Sequence, residues 1–204
     1  LPPCNSCDGK ANRGGDLFRL TEIPLRDIFQ GSAGQLDDAL IALHQRTLID
    51  RQGRFVWACA PRIDGDPVFS ALMDGASPEH GFWAIELEGL VSVEQAYVRN
   101  TAVLRTVLTA ADGGAVEILD FCPRHLKHSR IYRPIAFARV MRPLSGAPRV
   151  TMRLRPSTDW GARAAERTSG SNHIRYLCSD VTLRLTTNCP VSHVLDERTF
   201  RLEE

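Results

Sequence analysis

Val103-Leu-Arg-Thr-Val-Leu-Thr-Ala-Ala-Asp-Gly-Gly-Ala-Val-Glu-Ile-Leu-Asp-Phe-Cys122 decides the fold. Ala102 to Ala110, which reads Val-Leu-Arg-Thr-Val-Leu-Thr through its middle, is expected as a strand. Asp112-Gly-Gly114 then offers the positive backbone torsions that a tight hairpin turn needs. Ala115 to Cys122 follows as a second strand-like run. The unit is two adjacent strands with no room for a helix between them.

The same grammar repeats outward in both directions. Thr47 to Asp50 and Arg54 to Cys59 flank Arg51-Gln-Gly53, where Gly53 suits a hairpin turn. Further strands are expected at Phe82–Leu87, Val91–Arg99, Ile135–Arg142, Arg149–Arg155, His173–Cys178, Val181–Thr186 and Val191–Leu195, with one more beginning at Thr199. In Arg149-Val-Thr-Met-Arg-Leu-Arg155 the arginines alternate with apolar residues, as on the solvent face of a half-buried sheet. One short helix is expected at Pro67–Met73, with Pro67 at its first position and Gly75 as its stop. Thr158 to Ser171 reads as a polar connection. Long helices do not alternate with the strands, so a parallel α/β fold is excluded in favour of an all-β sandwich or barrel.

Residues 1–37 read differently. They are rich in Gly, Pro, Asn and Asp up to Asp16, and break again at Gly31-Ser-Ala-Gly34. An irregular leader with a short helix is expected there, and Gln35 to His44 has the spacing of another helical turn or two. The domain proper is placed at residues 38–204. The chain starts at Leu1 rather than Met and stops just after Thr199-Phe-Arg-Leu202, so a processed chain, a gene piece or a chimera is expected.

Composition removes several functions. The formal net charge is +1, with 25 Lys and Arg against 24 Asp and Glu, so nothing draws the chain to nucleic acid or an anionic membrane. No apolar run is long enough for a membrane helix, and no signal sequence stands at the front, which makes a cytoplasmic setting the expectation. Cys59, Cys122, Cys178 and Cys189 sit in apolar runs where a reduced thiol packs as a small hydrophobe.

One longer run carries a family resemblance. Leu48-Ile-Asp-Arg-Gln-Gly-Arg-Phe-Val-Trp-Ala-Cys-Ala-Pro-Arg-Ile-Asp-Gly-Asp-Pro-Val-Phe-Ser-Ala-Leu-Met-Asp-Gly75 resembles the opening of bacterial glycoside hydrolase family 15 proteins, the glucoamylase and trehalase-like group. Tyr97 to Leu104, Gly113 to Arg124, Arg153-Leu-Arg-Pro-Ser-Thr-Asp-Trp-Gly161 and Leu195 to Leu202 follow in that family's order. Ile63 stands where the family favours Phe, and Leu40 to Arg46 departs from its usual start. The resemblance implies an antiparallel β-supersandwich, the N-terminal domain of enzymes whose two catalytic glutamates lie in a following (α/α)6 barrel. It also implies a partnership with that barrel, an α-glucan or trehalose as the sugar, and no catalysis by this part alone.

The residues themselves offer few sites. Trp57, Arg62, Asp64 and Asp66 form the substrate-binding candidate, an indole beside carboxylates and a guanidinium on a loop. By the resemblance this loop faces the catalytic domain. The plainer alternative makes Arg62 and Asp64 an ion pair and Asp66 a helix cap. Glu86 and Glu88 share one strand face and could do acid–base chemistry, though a solvated face explains them as well. Cys4-Asn-Ser-Cys7 is a single C-x-x-C, and His125 and His128 do not complete a zinc set with it, so neither a metal nor a cofactor is expected. Trp57, Trp83 and Trp160 are the possible stacking platforms of a self-standing sugar-binding module. Homo-oligomer formation through an exposed sandwich surface is expected of the chain on its own, and an inactive fragment or chimera that folds and self-associates is the remaining alternative.

Overall fold

Gly53 and Gly113 adopt φ of +77° and +85°, the left-handed torsions that both hairpin turns demand. From those turns an all-β chain follows. The computed structural model describes residues 17–20, 47–74, 78–127, 129–132 and 134–203. The chain runs through β1 (Leu17–Leu20), β2 (Thr47–Ile49), β3 (Phe55–Cys59), β4 (Pro67–Phe69), helix α1 (Ala71–Asp74), β5 (Phe82–Leu87), β6 (Leu90–Tyr97), β7 (Leu104–Ala110) and β8 (Ala115–Phe121). It continues through β9 (His125–Lys127), β10 (Arg130–Tyr132), β11 (Ala138–Ser145), β12 (Arg149–Arg155), β13 (Ser157–Thr158), β14 (Arg163–Ala164), β15 (Glu166–Ser169), β16 (His173–Leu177), β17 (Thr182–Thr186), helix α2 (Val191–Leu195) and β18 (Phe200–Arg201).

A six-stranded sheet runs β18-β12-β5-β3-β2, with β4 added beside β3. One four-stranded sheet runs β11-β8-β7-β6 and another β1-β17-β16-β15. Pairing is antiparallel throughout these sheets except for β1, which lies parallel to β17. The sheets share one hydrophobic cluster. Trp83, Ile85, Val150 and Met152 enter it from the first sheet, Leu108, Val116 and Ile118 from the second, and Ile174, Leu183 and Leu185 from the third. The period of two explains the choice: on β12, Val150, Met152 and Leu154 are buried while Arg149, Thr151, Arg153 and Arg155 are not. Phe55, Phe69, Trp83 and Phe137 pack ring to ring at its centre, with Phe55 5.4 Å from Trp83 and 5.9 Å from Phe137.

The structure corrects several sequence expectations. Pro67–Phe69 is a strand, because Ala58 and Cys59 of β3 offer it ladder partners at Phe69 and Pro67, and only Ala71–Asp74 is helical. Val191–Leu195 is a helix instead of a strand, since its Val191, Val194 and Leu195 meet the core on one helical face behind Pro190. Tertiary packing there overrides β-branched propensity. The expected polar connection contains the short strands β14 and β15. Within the expected leader, Leu17–Leu20 pairs with β17. The helical turns expected at residues 35–44 lie outside the described residues. No helix among the described residues is long and apolar enough to cross a membrane.

Candidate functional site

The loop from Pro61 to Asp66 leaves β3 after the cis Ala60–Pro61 bond and returns into β4. Its two ends behave oppositely. At the tip Arg62 donates to Asp64 through Nε at 2.8 Å and Nη2 at 2.7 Å, and both side chains are exposed, at 76% and 61%. The hydrogen bonds from Arg62 hold the Asp64 carboxyl down to about 2. At the base Asp66 is buried. A buried carboxylate is costly unless donors surround it, and three do. Asp66 accepts from the Asp159 N–H at 2.8 Å, the Trp160 N–H at 2.7 Å and the Ser179 hydroxyl at 2.7 Å.

Those two N–H groups converge because Asp159 and Trp160 both take positive φ, +54° and +57°. Such torsions are costly for residues with a Cβ and persist where the surroundings impose them. Asp66 is one restraint. Gly161, at φ +88°, is another, since a Cβ there would lie 2.8 Å from Ser70 Oγ and 3.4 Å from Met73 Cε. A ring nitrogen of His80 lies 2.8 Å from the Gly161 carbonyl. Asp159 pairs with Arg163 through Nε at 2.7 Å, which draws its carboxyl below the usual range. The turn therefore holds the Trp160 indole outward, 59% exposed. Ile63 on the Asp66 loop, and Leu72 and Met73 on α1, are exposed as well.

The sequence candidates are thus divided. Arg62 and Asp64 are together at the loop tip, while Asp66 turns inward to the 159–161 turn rather than capping a helix. Trp57 stands half-buried on β3 opposite Leu48, on the strand and not in the loop. Trp83 is buried, which leaves Trp160 as the most exposed indole. Ser179, His80 and Met73 were not among the sequence candidates, because nothing local marks a hydroxyl 20 residues from the turn, or a ring 81 residues away and a thioether farther still, as its braces. The positive-φ turn had one signal, the Asp-Trp-Gly order ending in glycine.

Other chemistry is absorbed by structure. Glu86 pairs with Arg153 at 3.2 Å and Glu88 with Arg149 at 3.0 Å, across the exposed face of β5 and β12. Cys59, Cys178 and Cys189 carry free thiols, and burial pushes the Cys178 thiol to about 12, helped by the charge of Asp66. No cluster of His, Cys, Asp and Glu among the described residues could hold a metal ion. Cys4, Cys7 and His128 lie outside the described residues. A separate cleft of about 560 Å³ is lined by Trp83, Met152, Thr187 and Asn188, among others. Trp83 Nε1 is buried with no acceptor among the described residues.

A family model described as trehalase-like, N-terminal, matches residues 37–198. Trehalase 2 of Sulfolobus acidocaldarius is 30% identical over 88 residues, which is 43% of this chain and 14% of that relative. The chain therefore aligns with a small part of the relative's length. No solved structure matches the chain.

Proposed function

Because the chain belongs to the family of trehalase-like N-terminal domains, we propose that it is a non-catalytic accessory domain of a glucoamylase- or trehalase-like glycoside hydrolase. Its partner in this reading is an (α/α)6 catalytic barrel acting on trehalose or an α-glucan. The observation that carries the reading is the turn at Asp159–Gly161, which Asp66 locks so that it presents Trp160. Tryptophan is among the residues that most often anchor a protein contact. The Arg62–Asp64 pair supplies polar groups on the neighbouring loop.

Hydrolysis of a glycosidic bond with inversion needs one carboxylic acid at the leaving oxygen and one carboxylate that activates water across the bond. Glu86 and Glu88 are side by side and each is held by an arginine, so neither plays those parts. The purified chain should release no glucose from trehalose, maltose or maltodextrins. Release that survives purification and disappears in Glu86→Gln overturns the reading. In the full-length parent protein, Trp160→Ala should speed proteolytic separation of this domain from the barrel, and an unchanged rate also counts against it.

A second reading, a self-standing carbohydrate-binding module, is favoured by the exposed Trp160 indole, a flat apolar face of the kind that stacks on a sugar ring. Saturable heat on titration with trehalose or maltose, without glucose release, supports this module; a flat titration removes it.

A further inference from the structure

Opposite charges at neighbouring positions of a sheet stabilise it, and like charges directly opposite one another do the reverse. The first sheet obeys this rule, where Arg149 meets Glu88 and Arg153 meets Glu86. The third sheet departs from it. Ile174 and Tyr176 of β16 and Leu183 and Leu185 of β17 are buried, so the residues between them form the outer face. On that face Arg175 and Arg184 are direct partners in the β16–β17 ladder. β15 sets Thr168 beside Arg175, and β1 brings Arg19 to the register position beside Arg184.

Neither Arg175 nor Arg184 makes an ion pair among the described residues. Glu166, the one carboxylate that β15, β16 and β17 carry, stands opposite Leu177 instead. Arg184 Nε is buried with no acceptor among the described residues, a costly state for a charged donor. The half-buried His173 ring stands beside the pair. Its loss of solvent, and then the charges of Arg184 and Arg175, draw its pKa below the usual value. Gly170 leaves room for the ring, since a Cβ there would lie 2.6 Å from His173 Cε1, and Asn172 Oδ1 lies 3.1 Å from its Nδ1. Three basic side chains thus converge on one strand face without a counter-ion.

We propose that Arg175 and Arg184, flanked by His173 and Thr168, bind a phosphoryl group, either free or carried on an ester. Each guanidinium is a planar fork of N–H donors that matches a pair of oxygens. A carboxylate has oxygens enough for one fork. A phosphoryl group, with about two negative charges and oxygens on several sides, engages both forks at once. It relieves the repulsion between the two arginines and offers Arg184 Nε an acceptor. The Thr168 hydroxyl can donate at the end of the row, and a bound dianion favours the charged form of His173.

Calorimetric titration of the purified chain at about 0.1 M salt, which screens distant charges, tests this with inorganic phosphate, glucose 6-phosphate and plain glucose. At least one of the two phosphates should saturate the site, and the tighter of them names the source. Arg175 is exposed, so its substitution leaves the core alone. Arg175→Gln and Arg184→Gln should each raise Kd about tenfold or more. Arg167→Gln, at the Tyr176 position of the other face, should leave Kd within about twofold. By proton NMR the His173 titration midpoint should rise when the phosphate is bound. Saturation by neither phosphate overturns the proposal. So does a Kd that ignores both arginine variants, an equal loss in Arg167→Gln, or glucose binding as tightly as its phosphate.

Discussion

Arg139 lies directly opposite Asp120 in the β8–β11 ladder, and the two close a bidentate ion pair with no exposure to solvent beyond 1%. Nε donates to Oδ1 at 2.7 Å and Nη2 to Oδ2 at 2.9 Å. The guanidinium also donates to the Trp83 carbonyl at 3.0 Å and the Gly53 carbonyl at 2.7 Å, and lies over the rings of Phe55 and Trp83. Burial pushes the Asp120 carboxyl up, and Arg139 pulls it back. This pair thus ties the second sheet to the first hairpin and to the aromatic centre of the core.

Breaking that pair from one side should be expensive. Asp120→Ala leaves a buried guanidinium without its counter-ion, so unfolding in urea should show a loss of about 3–5 kcal/mol. Asp120→Leu combined with Arg139→Met removes both charges and should recover most of it. Equal losses in the single and double variants would contradict this account.

Asp66→Ala should cost about 1–3 kcal/mol, because the Asp159 and Trp160 N–H groups lose their acceptor. Hydrogen exchange should quicken at those two amides before the rest of the sheet. Protection unchanged at residues 159–160 would mean that Asp66 does not hold the turn.

Trp160→Gly should be tolerated in the isolated chain. The indole is largely exposed and the backbone there is left-handed, so glycine relieves strain that tryptophan carries. The melting temperature should stay level or rise. A clear fall would show that the indole is packed rather than displayed.

Acid should weaken the fold. Glu197 is held below the usual range by its hydrogen bonds from Arg155, and Glu117, which burial pushes up, is drawn lower still by Arg105 and Arg142. A depressed carboxyl adds stability that is complete above its unfolded value, about 4, and is lost as pH falls through the folded value. The urea midpoint should therefore drop below about pH 4. By carboxyl NMR Asp64 should titrate at about 2, and rise toward the ordinary range in Arg62→Gln. An unmoved midpoint would dismiss the Arg62 contact as the cause.

At pH 8 the Cys178 thiol, pushed up to about 12, should resist thiol reagents in the folded chain and react fast once unfolded. Mass spectrometry of labelled peptides reads this directly. Rapid labelling in the native state would place Cys178 outside the core.

Much of this protein was legible residue by residue. Hairpins at Gly53 and Gly113, and the alternation of Arg149–Arg155, are local signals, because turn torsions and the two-residue period depend on neighbours in the chain. The order of the motifs from Leu48 onward carried the family as well, and the family match over residues 37–198 agrees with it. Tertiary structure alone decided the rest. Pro67–Phe69 became a strand because β3 lay beside it, and Val191–Leu195 a helix because the core received one of its faces. Asp66 became the anchor of a turn 93 residues away, and Trp160 rather than Trp83 became the displayed indole. Glu117 and Asp120 sit in an apolar run whose charges make sense only once Arg105, Arg142 and Arg139 face them from neighbouring strands. The physical reason is common to all of these. A local pattern fixes which side of a strand is buried, but a buried charge, a strained turn or an exposed ring is set by partners that only the folded chain brings within reach.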